Sequence, residues 1–157
     1  MCGGMMTKRT GSYKDDLIGL PNVTLVGVGL LKCKQCGETA VQIPRHSELL
    51  RLLAAHVITK PTRLSGEEIR FLRKHIGWDE GELAKHFGVD PATVSRWENN
   101  KEPIGPQTDR LLRMTVQFKS PLAAFKAEDL LNAIKKKTSE SKPIRMIQRK
   151  REWKLAV

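Results

Sequence analysis

Apolar positions recur at helical spacing through the middle of the chain. Residues 46–58, H-S-E-L-L-R-L-L-A-A-H-V-I, place Leu49, Leu50, Leu53 and Val57 on one side, with Leu52 alongside, so they predict an amphipathic helix. Two readings of its apolar face stand: a core helix of the first domain, or a dimerisation or partner helix. Lys60-Pro61-Thr62-Arg63 then reads as a short linker. The next helix opens at Leu64-Ser65-Gly66-Glu67-Glu68-Ile69, where Ser65 caps, Glu68 closes a capping box and Leu64 staples to Ile69. Ile69, Leu72 and Ile76 carry its inward stripe to Gly77, with Arg73 off that stripe. The same device recurs from Trp78. Asp79 caps, Glu82 answers it, Leu83 follows, and Gly88 stops the helix. Asp90 then caps again, with Pro91 at the first helical position and Val89 set to meet Val94. A loop held by Pro103 and Pro106, with Ile104 as its apolar anchor, leads to a helix over 108–118 with Leu111, Leu112 and Val116 inward. A last helix is predicted over 121–137, with Leu122, Phe125, Leu130 and Ile134.

The two ends of the chain follow other periods. Residues 1–12 are rich in Gly, Met and Ser and read as irregular. From Asn22, N-V-T-L-V-G-V-G-L-L-K-C reads as one or two strands with a bend at Gly27 to Gly29. Thr39 to Ile43 reads as a further short strand, ended by Pro44. Residues 138–157 are polar and basic without a helical stripe. Ile144 to Trp153 reads either as one strand or as part of a flexible tail.

The segment Trp78–Glu98 organises the rest. About three residues join its two helices, too few for a parallel hairpin, so the helices cross steeply. Ala84 is the small residue such a crossing needs. Leu83, Phe87, Val94 and Trp97 fall on the shared inner face. Ala92, Thr93, Ser95, Arg96 and Asn99 are left on the outer face of the second helix. Short polar residues and one arginine on an exposed helix suit the DNA major groove. The pattern E-L-A-x-x-x-G-V-x-x-x-T-V-S-R-W-E resembles the helix-turn-helix of the lambda-repressor-like (Cro/cI, XRE) superfamily. That resemblance implies an ion pair between Arg73 and the glutamate that ends R-W-E, Glu98. Asn100 stands where the superfamily usually has glycine, and asparagine tolerates the left-handed conformation. Glu80 stands where many members have a glutamine near phosphate, and a carboxylate there is repelled.

Composition sharpens the choice of partner. The chain of 157 residues has room for one ordinary domain or two small ones, and its net charge is +11. Residues 1–60 carry 8 basic and 4 acidic side chains, residues 61–118 carry 9 and 9, and residues 119–157 carry 11 and 4. The helix-turn-helix stretch is therefore neutral, and sequence-independent attraction to phosphate is expected from its flanks. Lys135-Lys136-Lys137 either complements a helix dipole or contacts phosphate. No run of about 20 apolar residues is present, and the start lacks a signal-peptide core, so a cytoplasmic location and no membrane partner are expected. There is no His-Asp-Ser arrangement, no phosphate-binding glycine loop and no metal set with an open catalytic role. The expectation is a protein that is not an enzyme.

Three cysteines is an odd number, and a reducing cytoplasm favours metal or free thiols over a disulfide. Cys33-Lys34-Gln35-Cys36-Gly37 is a C-x-x-C-G knuckle whose thiolates both face one side of a metal; Cys2 is the remaining cysteine. Structural zinc, a metal-free knuckle and a redox pair are the three readings, although no thioredoxin-like βαβ pattern surrounds the pair. Zinc takes four ligands, and the fourth is not evident. His46, His56, His75 and His86 are formal candidates. His46 reads instead as a helix start, and His75 and His86 as surface residues. A further expectation is that the true start lies upstream of Met1, with Cys2-Gly3-Gly4 as the second half of a C-x-x-C-G-G pattern.

The order of parts resembles the MqsA-type (YgiT-type zinc-finger) antitoxin-like regulators over roughly residues 1–118. With that resemblance the chain is expected to be α+β: a β-rich zinc-knuckle domain with one helix at 1–60 and an all-α helix-turn-helix domain at 61–118, followed by an extra helix and basic C-terminal tail at 119–157 that the resemblance does not cover. It implies zinc on Cys2, Cys33 and Cys36, with Met5 or an upstream residue at the fourth position. It also implies a homodimer on a palindromic operator in double-stranded DNA, repression, and in some members a toxin protein bound through the N-terminal domain. Arg96 matches a base-reading arginine, and Ala92 replaces a base-reading asparagine. Thr93, Ser95, Asn99 and Lys101 complete the expected DNA-contacting set.

Overall fold

A computed structural model describes residues 2–14, 18–121, 142–150 and 152–156. In chain order the elements are strands β1 (Met6–Lys14), β2 (Val23–Cys33) and β3 (Thr39–Gln42), then helices α1 (His46–Thr59), α2 (Gly66–His75), α3 (Glu80–Phe87), α4 (Pro91–Glu98) and α5 (Pro106–Lys119), then strands β4 (Ile144–Arg149) and β5 (Glu152–Ala156). The fold is α+β. It divides into two compact units, one of Met1–Asp16, Pro21–Leu49 and Lys142–Val157, the other of Leu17–Leu20 and Leu50–Ser141.

The first unit is a five-stranded sheet in the order β1-β2-β4-β5, with β3 also on β2. β2 is one strand. Gly27, at φ 85°, bulges between the register Ser12↔Val26 and Gly11↔Val28, so β2 runs through its glycines instead of ending there. β1 corrects the expectation of an irregular start. Its nine residues are mostly exposed and polar, so no apolar alternation marks them; they are ordered by pairing antiparallel to β2. The C-terminal stretch is a correction too. It forms two strands, not one strand or a tail: β4 runs parallel to β2, and β5 returns antiparallel to β4 past Lys150 at φ 47°. Val23, Leu25, Val28, Ile144, Met146 and Trp153 make the buried layer. The Trp153 indole N–H is satisfied by the Pro44 carbonyl at 2.7 Å.

The second unit is helical. Leu53, Ala54, Val57 and Ile58 of α1 are buried, which makes it a core helix. Both expected capping boxes are present, Ser65 with Glu68 and Asp79 with Glu82, and Gly88 caps α3 in the left-handed region. Ala84, Leu83, Val94 and Trp97 are buried at the crossing of α3 and α4, while Phe87 is half-buried with its edge toward Trp78. On α5 the apolar stripe misled. Leu112 and Val116 are fully buried, but Leu111 is 46% exposed, because the buried face also takes Asp109 and Arg113. Arg113 lies sealed beneath it. It donates to Asp109 Oδ1 (2.6 Å) and to the carbonyls of Ile58 (3.0 Å), Lys60 (2.7 Å) and Thr62 (2.6 Å). The Asp109 carboxylate also accepts from Leu64 N–H at 2.7 Å. The stretch read as a linker is thus clamped by its own carbonyls. The helix expected over 121–137, with its lysine run, lies outside the described residues.

Candidate nucleic-acid interface and metal site

α4 starts where the Asp90 carboxylate accepts from Ala92 N–H at 2.7 Å, with Pro91 in the first turn. Val94, Trp97 and Glu98 form its underside. Glu98 is fully buried through its side chain and receives both Arg73 Nε (2.6 Å) and Arg73 Nη2 (2.9 Å), as well as Arg70 Nε at 3.1 Å. Those hydrogen bonds hold the Arg73 guanidinium more firmly protonated than in water, against the opposing pull of burial. The ion pair implied by the resemblance is therefore present, and Arg70 extends it. α2 and α4 meet closely at Gly66. A Cβ there would stand 2.5 Å from the Glu98 carbonyl oxygen, so only glycine fits. Asn100, at φ 54°, closes the same corner. Its Oδ1 accepts from Gly66 N–H (2.7 Å), and its Nδ2 donates to Glu67 (2.9 Å).

The opposite side of α4 is open. Ala92, Arg96, Asn99 and Lys101 are exposed, and Thr93 and Ser95 are half-buried. Arg96, half exposed, donates from Nη2 to Thr93 Oγ1 (2.8 Å) and from Nε to Glu102 Oε2 (3.1 Å). Asn99 donates from Nδ2 to the Ser95 carbonyl (2.8 Å) and to Ser95 Oγ (3.3 Å), while its Oδ1 accepts from Arg70 Nη2 (3.1 Å). The structure thus brings all six expected residues to one region and adds two that sequence reasoning missed. Glu102 follows Arg96 by six residues across a loop, where no helical period applies. Arg70 sits one turn before Arg73 and resembles an ordinary surface residue. Glu80 lies 3.8 Å from Arg73 and is half exposed. His86 is exposed and stacks on Trp78 with centroids 4.4 Å apart, and Lys119 Nζ lies 4.4 Å over the same Trp78 ring.

In the first unit, Cys2 Sγ lies 3.5 Å from Cys33 Sγ and 3.2 Å from Cys36 Sγ. All three sulfurs fall within 4.8 Å of one another, and they are the one such group among the described residues. Thiolates on a tetrahedral zinc stand ~3.8 Å apart, from a Zn–S length of about 2.3 Å. The fold explains the grouping: Met6 pairs with Cys33, so β1 returns the chain start to the knuckle. Gly4 lies against it, and a Cβ there would be 2.9 Å from Cys33 Sγ. The backbone N–H groups of Cys36 and Gln35, then the Cys2 side chain, pull the Cys33 thiol down to about 7. These residues therefore fit a metal through three sulfur ligands. None of the four histidines joins them, and Met5 is 87% exposed.

Comparison with known proteins agrees with the helical unit. Residues 69–125 match the Helix-turn-helix family, and within them α3, the turn at Gly88 and α4 form a helix-turn-helix. The chain is 35% identical over 51 residues to Antitoxin HipB of Escherichia coli strain K12, a match covering 32% of this chain and 57% of that protein. It is likewise 35% identical over 51 residues to Antitoxin HipB of an Escherichia coli O6:H1 strain, covering 32% and 53%. The chain therefore spans about half the length of the curated relatives it matches. No solved structure matches. The likeness to MqsA-type regulators rests on the sequence motifs alone.

Proposed function

We propose that this chain is a sequence-specific, non-enzymatic DNA-binding regulator of antitoxin type, acting as a homodimer that represses from a palindromic operator. One observation carries the reading: α4 is fixed from below by buried Glu98, while its far side presents Arg96 to solvent. In the major groove Arg96 reads a guanine by a bidentate contact, worth about 1–3 kcal/mol of discrimination. Thr93 meets a thymine methyl or a base edge. Ser95, Asn99 and Lys101 fix the orientation on phosphate. Ala92 offers only apolar contact. Two half-sites about 34 Å apart match a two-fold dimer. Among the described residues no helix is long and apolar enough to cross a membrane. A DNA partner supports a cytoplasmic location.

Selection of bound duplexes from a random pool tests the reading. The expected result is a palindromic site, with Arg96→Ala losing preference at one base pair per half-site. Equal weakening on every sequence would remove Arg96 from base reading, and failure to enrich any site would remove the function.

The cysteine trio is proposed to hold a structural zinc, which supplies a cross-link between the chain start and the knuckle. Metal analysis of purified protein should find stoichiometric zinc, lost in Cys36→Ser. A second reading, favoured by the name of the HipB relatives, is a chain whose main partner is a toxin protein bound through the N-terminal domain. Co-purification with the product of an adjacent gene tests it.

A further inference from the structure

The sheet of the first unit has two chemically different faces, and register separates them. Residues directly opposite share a face, and positions alternate along each strand. One face carries the buried layer of Val23, Leu25, Val28, Ile144, Met146 and Trp153. The other carries exposed basic side chains around half-buried Val26, Leu31 and Ile147. Lys14 pairs with Thr24, which pairs with Arg145, so these three form one row across β1, β2 and β4. Lys154 pairs with Ile147 in the next row, and Arg149 follows on the same side of β4. Lys8 lies on the Lys14 side of β1, where its Nζ donates to Gln42 Oε1 at 2.6 Å. Lys8, Lys14, Arg145, Arg149 and Lys154 are all exposed. Strands stand about 4.8 Å apart, so Lys14 and Arg145 are separated by roughly 10 Å across the row.

Three features select the partner. Among the described residues Glu152 is the single carboxylate on this face, and none of the five cations is ion-paired. Thr10, Ser12 and Gln42 supply hydrogen-bonding groups between the cations, and the face has no aromatic side chain of the kind that anchors protein interfaces. The helix-turn-helix stretch 61–118 is itself neutral, with 9 basic and 9 acidic residues, so it supplies little attraction to a polyanion.

We infer that the open face of this sheet, through Lys8, Lys14, Arg145, Arg149 and Lys154, binds the phosphate backbone of duplex DNA without regard to sequence. The inference rests on the DNA-binding reading above and adds a second surface to it. Each phosphate contact releases counterions and steepens the fall of affinity with salt by about 0.9 in log–log slope.

The test uses the full chain, a variant with all five residues changed to Gln, and a milder Lys14→Gln/Arg145→Gln variant, each checked for its fold by circular dichroism. Binding to a random-sequence duplex and to the selected site is measured from 50 to 200 mM salt. The expected result is a slope shallower by about 2 in the milder variant and by up to about 4.5 in the five-fold one, with equal loss on both duplexes. An unchanged slope in variants that fold, while the parent chain binds its site, overturns this inference alone. A parent chain that binds no duplex overturns the functional reading as well. Retention on poly-glutamate that falls in the variants, while their DNA slopes stay unchanged, assigns the face to an acidic protein and also overturns the inference.

Discussion

Replacing Glu98 by alanine should separate what holds α4 from what reads DNA. The substitution removes the acceptor of three charge-assisted hydrogen bonds at 2.6, 2.9 and 3.1 Å. Arg73 is 6% exposed and keeps its charge with the Trp78 carbonyl and the more distant carboxylates of Glu80 and Asp79 as its remaining partners. Breaking such a buried pair costs about 3–5 kcal/mol. The Arg70 side chain is 39% exposed, so its share is about 0–1 kcal/mol. A total near 4 kcal/mol is a large part of the roughly 5–15 kcal/mol that stabilises a domain. At a urea slope of about 2 kcal/mol per molar, the midpoint should fall by about 2 M.

Tryptophan fluorescence reads this directly, because Trp97 adjoins Glu98, and a Trp153→Phe background confines the signal to the helical unit. The functional half of the prediction concerns the molecules that remain folded. Their base preference should be unchanged, since the outer face of α4 keeps its residues. Arg96→Ala should do the reverse: its partners Thr93 and Glu102 sit at the surface, so stability shifts by less than about 0.5 kcal/mol while base preference is lost. A loss below about 1 kcal/mol in Glu98→Ala, or an altered base preference in its folded fraction, would refute the division.

Arg113→Met should cost about 3–5 kcal/mol in urea unfolding, because it leaves Asp109 charged and buried. Arg113→Met combined with Asp109→Leu should recover only part, since the carbonyls of Ile58, Lys60 and Thr62 stay without their donor. Gly66→Ala should destabilise by about 1–3 kcal/mol, as its Cβ would enter the backbone of α4; a neutral result would mean that α2 shifts freely. Burial lowers the pKa of His56 and of His75, and His75 Nε2 is sealed without a partner. The native state therefore stays neutral at a pH where the unfolded chain takes up protons. Stability should be full above about pH 6.5 and fall as pH drops below it. Melting temperatures at pH 7.5 and 5.5 measure this, and the double change of His56 and His75 to Gln should flatten the difference.

The helical unit was legible because its signals are local. Each cap and its answering residue lie three positions apart, as Ser65 and Glu68 or Asp79 and Glu82 do, so nothing distant is needed to see them. Distant pairing was not legible. β1 is polar on both sides, and only its register with β2 makes it a strand. β4 joins β2 at Val23↔Ile144, across most of the chain, so Ile144 and Met146 had no visible partner. The α5 error has a different cause. A hydrophobic stripe sees Leu111 but is blind to a buried face built on an ion pair, and the i,i+4 spacing of Asp109 and Arg113 is that of ordinary surface pairs. For the candidate site, the membership of the cysteine trio and of the α4 face could be read; the grip of Glu102 on Arg96 depends on a loop path that no period encodes.

The separation of charge from the reading helix has a consequence for selectivity. Specificity is the ratio of affinity for the right site to affinity for all others, and phosphate contacts raise both terms equally. Cations packed around α4 would compete with Arg96 for the same groove geometry and blur its register. Glu102 holds Arg96 at 3.1 Å in a surface ion pair, so any base that engages Arg96 competes with that pair and with the Thr93 bond. Where the basic sheet face holds phosphate, residues such as Lys14 and Arg145 add affinity while base choice stays with Arg96 and Thr93. On this reasoning, raising salt should weaken binding to every duplex without changing the order in which sites are preferred.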